Sequence, residues 1–171
     1  MRATVTVLLV AGVAGCSTGS SPTLEIAIAP LDLPDVGRVC YDLRVTNGAA
    51  ATGATVWSRG TPGLNGGVAD PDAVCSDRYG NRGGGDITYI GTCDADGGPR
   101  TNSVTLWLDG LYDGGDGYVD PTGEDAWANP CPTPLGCTLE APCRENEDTL
   151  VAFDLTIMRA AKQGFFDIAV N

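Results

Sequence analysis

The 171-residue chain contains 24 glycines and 11 prolines, and only 6% of its residues are aromatic. This composition is typical of one loop-rich globular domain and excludes a repeat array or a bundle of membrane helices. The chain has no histidine, which excludes Ser-His-Asp and Cys-His catalytic arrangements and imidazole metal sites. Its 10 basic and 22 acidic residues give a net charge of −12. Phosphate backbones are therefore repelled, and we expect no nucleic-acid partner.

Residues 1–15 are predicted to be a lipoprotein signal peptide. Arg2 supplies a positive charge, and a largely apolar run from Val5 to Val13 leads into the sequence VAGC at positions 13–16. The run is too short to cross a bilayer, which needs about 20 residues. The VAGC sequence resembles the lipobox of bacterial lipoproteins, which implies cleavage before Cys16 and acylation of its thiol and amine. The alternatives are an ordinary secretory signal with an incidental cysteine, or a buried N-terminal strand.

Lipidation of Cys16 predicts a protein whose partner is the membrane that holds its anchor. More than one acyl chain makes such anchoring stable. Ser17, a small neutral residue, follows the lipidated cysteine as in lipoproteins sorted to the outer membrane, so we expect an outer-membrane lipoprotein on its periplasmic or cell-surface face. Residues 16–22 are the lipidated cysteine and a flexible tether, and residues 23–171 are the predicted domain.

The mature chain keeps six further cysteines, an even number that predicts up to three disulfides in an exported protein. They are Cys40, Cys75, Cys93, Cys131, Cys137 and Cys143, and the sequence leaves their pairing open. A zinc site is the alternative, because the last three are regularly spaced. The absence of histidine and of a C-x-x-C pair, together with an oxidising compartment, argues against zinc.

Alternation of apolar and polar residues predicts an all-β fold, an antiparallel β-sandwich of immunoglobulin-like size with about seven strands. The clearest alternating segments are Leu24 to Ile28, Val39 to Thr46, Val104 to Asp109 and Val151 to Met158. The weaker candidates are Ala54 to Arg59, Ile87 to Thr92 and Phe165 to Val170. Helical periodicity is limited to one turn at Arg159 to Gln163.

Two long connections rich in Gly, Pro and Asp separate these strands, Gly60 to Asp86 and Asp109 to Asp148. Long structureless loops are uncommon in a compact domain unless they are functional or cross-linked. Because four of the six cysteines lie within them, we expect disulfides to fasten both loops to the sandwich.

The connection from Asp109 to Asp148 is strongly acidic, with ten acidic residues and one basic residue. Its densest part combines glycines with Asp109, Asp113, Asp116 and Asp120, and carboxylate and backbone oxygens are the ligands of calcium. The spacing does not match the EF-hand series. A solvated acidic surface is therefore the main interpretation, with calcium as the alternative and otherwise no cofactor. A carboxylate pair serving as glycosidase acid and base is a third interpretation.

Trp107 alternates with Leu106 and Leu108 and is therefore predicted to face away from the core. An outward tryptophan on a β-sandwich can stack on sugar rings, as in a carbohydrate-binding module. The alternative, which we favour, is that Trp107 packs beneath a disulfide-tied loop that covers the second face of its sheet.

The segment CPTPLGCTLEAPCRENEDTLVAFDLTIMRAAKQGFFDIAVN at 131–171 resembles part of a family of uncharacterised exported proteins of myxobacteria. The segments YDLRVTNG, GDITYIGTCDADGG and SVTLWLDGLYD carry the same resemblance, which implies no known activity. In that family the chain continues past the FFDIAVN-like strand into a further cysteine-containing region. We therefore expect a sequence truncated at its C-terminus, in which one of the six cysteines can lack its partner.

These observations together predict a non-enzymatic, lipid-anchored cell-envelope protein. Its expected role is in binding or surface structure, with a protein or glycan partner whose identity the sequence leaves open. The alternative is a calcium-dependent adhesion module that binds carbohydrate or protein.

Overall fold

The computed structural model describes residues 21–29, 33, 36–63, 70–79, 87–95, 100–120, 122 and 127–159. The predicted signal peptide, Cys16, and the predicted strand from Phe165 to Val170 lie outside the described residues. The predicted turn at Arg159 to Gln163 also lies outside them, except for its first residue. Within the described part of the chain, no helix is long and apolar enough to cross a membrane.

The described residues form ten strands and one short helix. In chain order they are β1 (Thr23–Ile28), β2 (Arg38–Asn47), β3 (Ala54–Arg59), β4 (Val74–Cys75), α1 (Ser76–Tyr79), β5 (Ile87–Thr92), β6 (Arg100–Tyr112), β7 (Trp127–Ala128), β8 (Cys137–Cys143), β9 (Asp148–Phe153) and β10 (Met158–Arg159). The all-β fold is therefore confirmed, and each alternating segment within the described residues contains a strand.

The large sheet has the strand order β3-β2-β6-β8, and β4 pairs with part of β2. The two long strands β2 and β6 run antiparallel at its centre, with Leu43 opposite Leu106. Both faces of these two strands are covered, because the polar Asp42 and Thr105 are as deeply buried as the leucines. The central strands therefore lie between the core and a second layer formed by loops.

The small sheet has the order β5-β1-β9. Its β1 and β5 are antiparallel, but β1 and β9 are parallel, with Ile26 beside Val151. The prediction of a purely antiparallel sandwich is wrong at this pair. Period-two alternation reports which face of a strand is buried and carries no information about its direction, and the long intervening chain permits the crossover that a parallel pair needs.

The main hydrophobic core lies between the inward faces of the two sheets. Burial of these apolar side chains provides most of the driving force for folding. Its fully or almost fully buried members include Leu24, Ile26, Ile28, Tyr41, Leu43, Val45, Val104, Leu106, Leu108 and Leu111.

The predicted loop from Asp109 to Asp148 is wrong at both ends. The strand β6 continues to Tyr112, so Asp109 lies in a strand, and β8 occupies the later part of the predicted loop. β8 pairs on one side only, with β6, in the sheet order of the described strands. Most of the side chains of β8 are exposed and the strand contains Pro142, so its sequence lacks the regular apolar and polar alternation that predicts a strand. A strand that contains proline is tolerated at the edge of a sheet.

The predicted disulfides are confirmed. The pairs are Cys40–Cys75, Cys93–Cys143 and Cys131–Cys137. The first joins β4 to β2, the second joins the end of β5 to β8 and so connects the two sheets, and the third closes a short loop before β8. None of the six cysteines lacks a partner. Cys131, Cys137 and Cys143, the alternative zinc ligands, are divided between two disulfides.

Candidate functional site

The outer face of the large sheet carries a buried acidic pair, Asp42 on β2 and Asp109 on β6. Asp42 is 0% exposed and Asp109 is 2% exposed. Carboxylates are rarely buried this deeply unless they are paired or protonated. We therefore treat this pair and its surroundings as the candidate site. Asp109 was among the predicted calcium ligands, whereas no prediction from the sequence included Asp42.

A β-bulge positions Asp109. Tyr41 lies opposite Leu108, whereas the preceding Cys40 lies opposite Gly110, so Asp109 is an extra residue in β6. Bulges re-aim a side chain relative to the regular pleat. The Asp109 carboxylate Oδ2 accepts a hydrogen bond of 3.4 Å from the Tyr112 hydroxyl, which is itself buried.

The chain after β3 closes over Asp42. A Cβ atom at Gly60 would lie 1.8 Å from Asp42 Oδ1, and Gly60 has a φ of +72°. Both facts require glycine at this position. Within the described residues, neither carboxylate oxygen of Asp42 has a hydrogen-bond partner.

Residues 60–63 and 70–73 lie against the outer face of the large sheet, where Gly60 contacts Asp42 and Ala73 packs with Cys40 and Tyr112, and we name them the cap. Asp70 connects its two parts, because its Oδ2 accepts a hydrogen bond of 2.9 Å from the Thr61 amide and its Oδ1 accepts one of 2.9 Å from the Asp72 amide. The Cys40–Cys75 disulfide fastens the end of the cap to β2. The carboxylates of Asp109 on β6 and Asp70 in the cap both act electrostatically on Asp42.

The electrostatics of this site favour a bound proton. Burial, followed by the negative charges of Asp109 and Asp70, raises the pKa of the Asp42 carboxyl from 3.8 to about 7. Burial and the Asp109 carboxylate also raise the pKa of Tyr112, so its hydroxyl remains protonated and can donate to Asp109.

Both arginines of β2 contact aromatic rings near the acidic pair, and one of them also forms ion pairs. The Arg38 guanidinium lies 4.7 Å from the centre of the Tyr112 ring and forms ion pairs with Asp77 at 3.4 Å and Asp116 at 3.5 Å. The Arg44 guanidinium lies 4.9 Å from the centre of the Trp107 ring. These cation–π contacts hold both cations against neighbouring rings.

The four aspartates predicted to bind calcium occupy different environments. Asp109 is buried in β6, whereas Asp113, Asp116 and Asp120 are exposed. The part of the chain that the structure describes contains no group of three or more acidic or cysteine side chains placed to hold a metal ion. Calcium coordination by these four residues therefore has no support from the geometry and stays a prediction.

Two of the exposed aspartates serve their own turns. Asp113 Oδ1 accepts hydrogen bonds from the Gly115 and Gly117 amides at 2.7 and 2.8 Å. Asp120 Oδ1 accepts bonds from the amide and hydroxyl of Thr122, both at 2.7 Å, and these bonds lower the pKa of Asp120. Such side-chain to backbone bonds are typical of structural turns.

Trp107 packs beneath a disulfide-closed loop, as the favoured interpretation predicted. It is 3% exposed, and its indole nitrogen donates a hydrogen bond of 3.2 Å to the Pro134 carbonyl. Pro134 lies in the loop that the Cys131–Cys137 disulfide closes. The ring face is therefore covered and is not presented to a sugar.

Asp42 was missed because it occupies a polar position in a regularly alternating strand, where a solvated side chain is expected. A signal was available in its neighbour: Cys40 shares its face, and a disulfide there implies that a loop covers that face. No protein-family model, curated protein or solved structure matches this chain. The resemblance to exported myxobacterial proteins stays a prediction.

Proposed function

We propose that this protein is a non-enzymatic, lipid-anchored domain of the cell envelope, exported to an oxidising compartment, with a role in binding or surface structure. The observation that carries the proposal is the pairing of all six cysteines that follow Cys16 into three disulfides. Disulfides persist in exported proteins and are rare in the reducing cytosol.

The position of the disulfides supports the same proposal. One connects the two sheets, and the other two fasten the elements that cover the outer face of the large sheet. In a chain with 24 glycines, the unfolded state has high conformational entropy, and cross-links reduce it. The domain is therefore built to depend on oxidation, which export to the periplasm or cell surface provides.

The outer face of the small sheet supports a binding role. Ile90 on β5 and Leu150 on β9 are 65% and 63% exposed. The register of both strands with β1 places these two side chains on either side of Glu25. We take these two exposed apolar side chains as the contact site for a partner.

Labelling with an alkyne analogue of palmitate in the native cells, followed by membrane fractionation, tests the anchor. We expect the protein to carry the label in the membrane fraction, and Cys16→Ser to lose it. Ser20→Ala, in the predicted tether, is the matched control that keeps the label. Unlabelled protein in the cytoplasmic fraction, with its cysteines reduced, would contradict the proposal.

The binding role is tested with isolated cell-envelope fragments and the purified, oxidised protein. We expect saturable cosedimentation that the double substitution Ile90→Ser and Leu150→Ser weakens, whereas Thr88→Ser on the same face of β5 leaves it unchanged. Equal cosedimentation of all variants would argue against this surface as the contact site.

A further inference from the structure

We propose that Asp42 and Asp109 form a proton-binding pair that makes closure of the cap over the large sheet depend on pH. In the closed form the pair holds one proton; when both carboxylates are charged, the cap loosens around its anchor at Cys75. This device is independent of the lipid anchor and of the outer face of the small sheet.

Burial disfavours the charged form of Asp42. Its side chain is fully buried, and within the described residues neither of its oxygens accepts a hydrogen bond. A charged carboxylate in such surroundings is costly, and buried acids normally become neutral instead. The closed cap therefore favours the protonated acid.

Asp42 contacts the cap directly at Gly60. The Gly60 backbone is placed so closely against Asp42 Oδ1 that a Cβ atom would overlap it. Little room remains for a hydrated cation at this oxygen while the cap is closed. A proton needs no such room, and opening of the cap would admit water to a charged carboxylate.

The charged groups near Asp42 also favour its protonated form. The negative charges of Asp109 on β6 and Asp70 in the cap both oppose its ionisation. On its own strand, Arg44 lies over the Trp107 ring and Arg38 pairs with two other aspartates. The balance of neighbouring charge therefore favours uptake of a proton.

The direction of the pH effect follows. The pKa of Asp42 is about 7 in the closed form and returns towards its ordinary value of 3.8 when water enters. The closed form then binds the proton more tightly than the open form, so closure is strongest below about pH 4 and weakens as the pH rises to about 7. Between pH 5 and pH 8 the opening equilibrium is expected to increase by up to about a hundredfold.

Hydrogen exchange of the purified, oxidised protein at pH 5 and pH 8, corrected for the intrinsic exchange rate, tests the proposal. We expect exchange of the hydrogen-bonded cap amides, those of Thr61, Asp72 and Ala73, to accelerate strongly between these pH values, while β1 changes far less. Asp42→Asn keeps the shape of the side chain without its charge and is expected to remove most of the acceleration. Asp154→Asn, an exposed acid after β9, is the matched control and should behave as the unsubstituted protein.

A carboxyl ¹³C NMR titration of the unsubstituted protein tests the proposal even if the Asp42 variant does not fold. We expect one aspartate pair to titrate near neutral pH. Midpoints below pH 5 for every aspartate would overturn the proposal. Cap protection at pH 8 that requires added calcium or sodium and is lost on its removal would also overturn it, because the pair would then hold a cation.

Discussion

Removal of the Cys93–Cys143 disulfide is expected to cost more stability than removal of the Cys131–Cys137 disulfide. This bond joins the end of β5 in the small sheet to the end of β8 in the large sheet and closes a loop with a sequence separation of 50. Loop-closure entropy for that length corresponds to about 4 kcal/mol of stabilisation. The Cys131–Cys137 bond closes a separation of only 6, which corresponds to about 2 kcal/mol.

The assay is urea denaturation of the oxidised protein, followed by tryptophan fluorescence and extrapolated to water. Cys93→Ala with Cys143→Ala is compared with Cys131→Ala with Cys137→Ala, so that each variant loses two sulfur atoms. We expect the first pair of substitutions to lower the free energy of unfolding by about twice as much as the second. An equal loss, or the reverse order, would refute the reasoning that loop length and the connection between the sheets set the contribution.

The stabilisation that the three disulfides provide together also indicates the compartment in which the domain can fold. Domains of this size are stable by about 5–15 kcal/mol. The Cys40–Cys75 bond, with a separation of 35, adds a further contribution of about 4 kcal/mol. Reduction of all three bonds would therefore remove most of the stability of a typical domain, so folding in a reducing compartment is expected to fail.

Three further substitutions or conditions give distinct outcomes. Trp107→Ala removes a buried indole and its hydrogen bond to the covering loop, and is expected to lower the free energy of unfolding in urea by about 3–5 kcal/mol; a loss below about 1 kcal/mol would show that the ring is not packed. Gly91→Ala places a Cβ atom 2.1 Å from Trp57 Cζ2, so we expect a loss of about 1–3 kcal/mol, whereas Gly114→Ala, which meets no atom within 4 Å, should be nearly neutral. Millimolar calcium is expected to leave the melting temperature unchanged because Asp113 already accepts two backbone hydrogen bonds; a rise reversed by chelator would favour calcium-dependent adhesion.

The strands of the core were predictable because their burial pattern is local. In β1, Leu24, Ile26 and Ile28 are fully buried on one face, so alternation identified the strand and the face it buries. Its parallel partner β9 was recognised as a strand for the same reason. The direction of their pairing depends on where the intervening chain crosses between sheets, which no local pattern records.

The candidate site was less predictable because its character comes from tertiary covering. Asp42 and Trp107 lie opposite each other in the register of β2 and β6, on a face that alternation assigns to solvent. Their burial arises from two loops that disulfides hold in place. The four cysteines in the two long connections were the available signal for Trp107, because they indicated loops fastened over the sheet. Cys40, on the same face of β2 as Asp42, extends that argument to Asp42. The bulge at Asp109 has no signature in its own segment.

Mass spectrometry of non-reduced peptides from the protein isolated from the membranes of its native cells tests the central claim most directly. We expect three linked pairs, Cys40–Cys75, Cys93–Cys143 and Cys131–Cys137, together with an N-terminal peptide that begins at acylated Cys16. Free thiols at these six positions, or an unprocessed N-terminus beginning at Met1, would contradict a disulfide-dependent, lipid-anchored domain of the cell envelope.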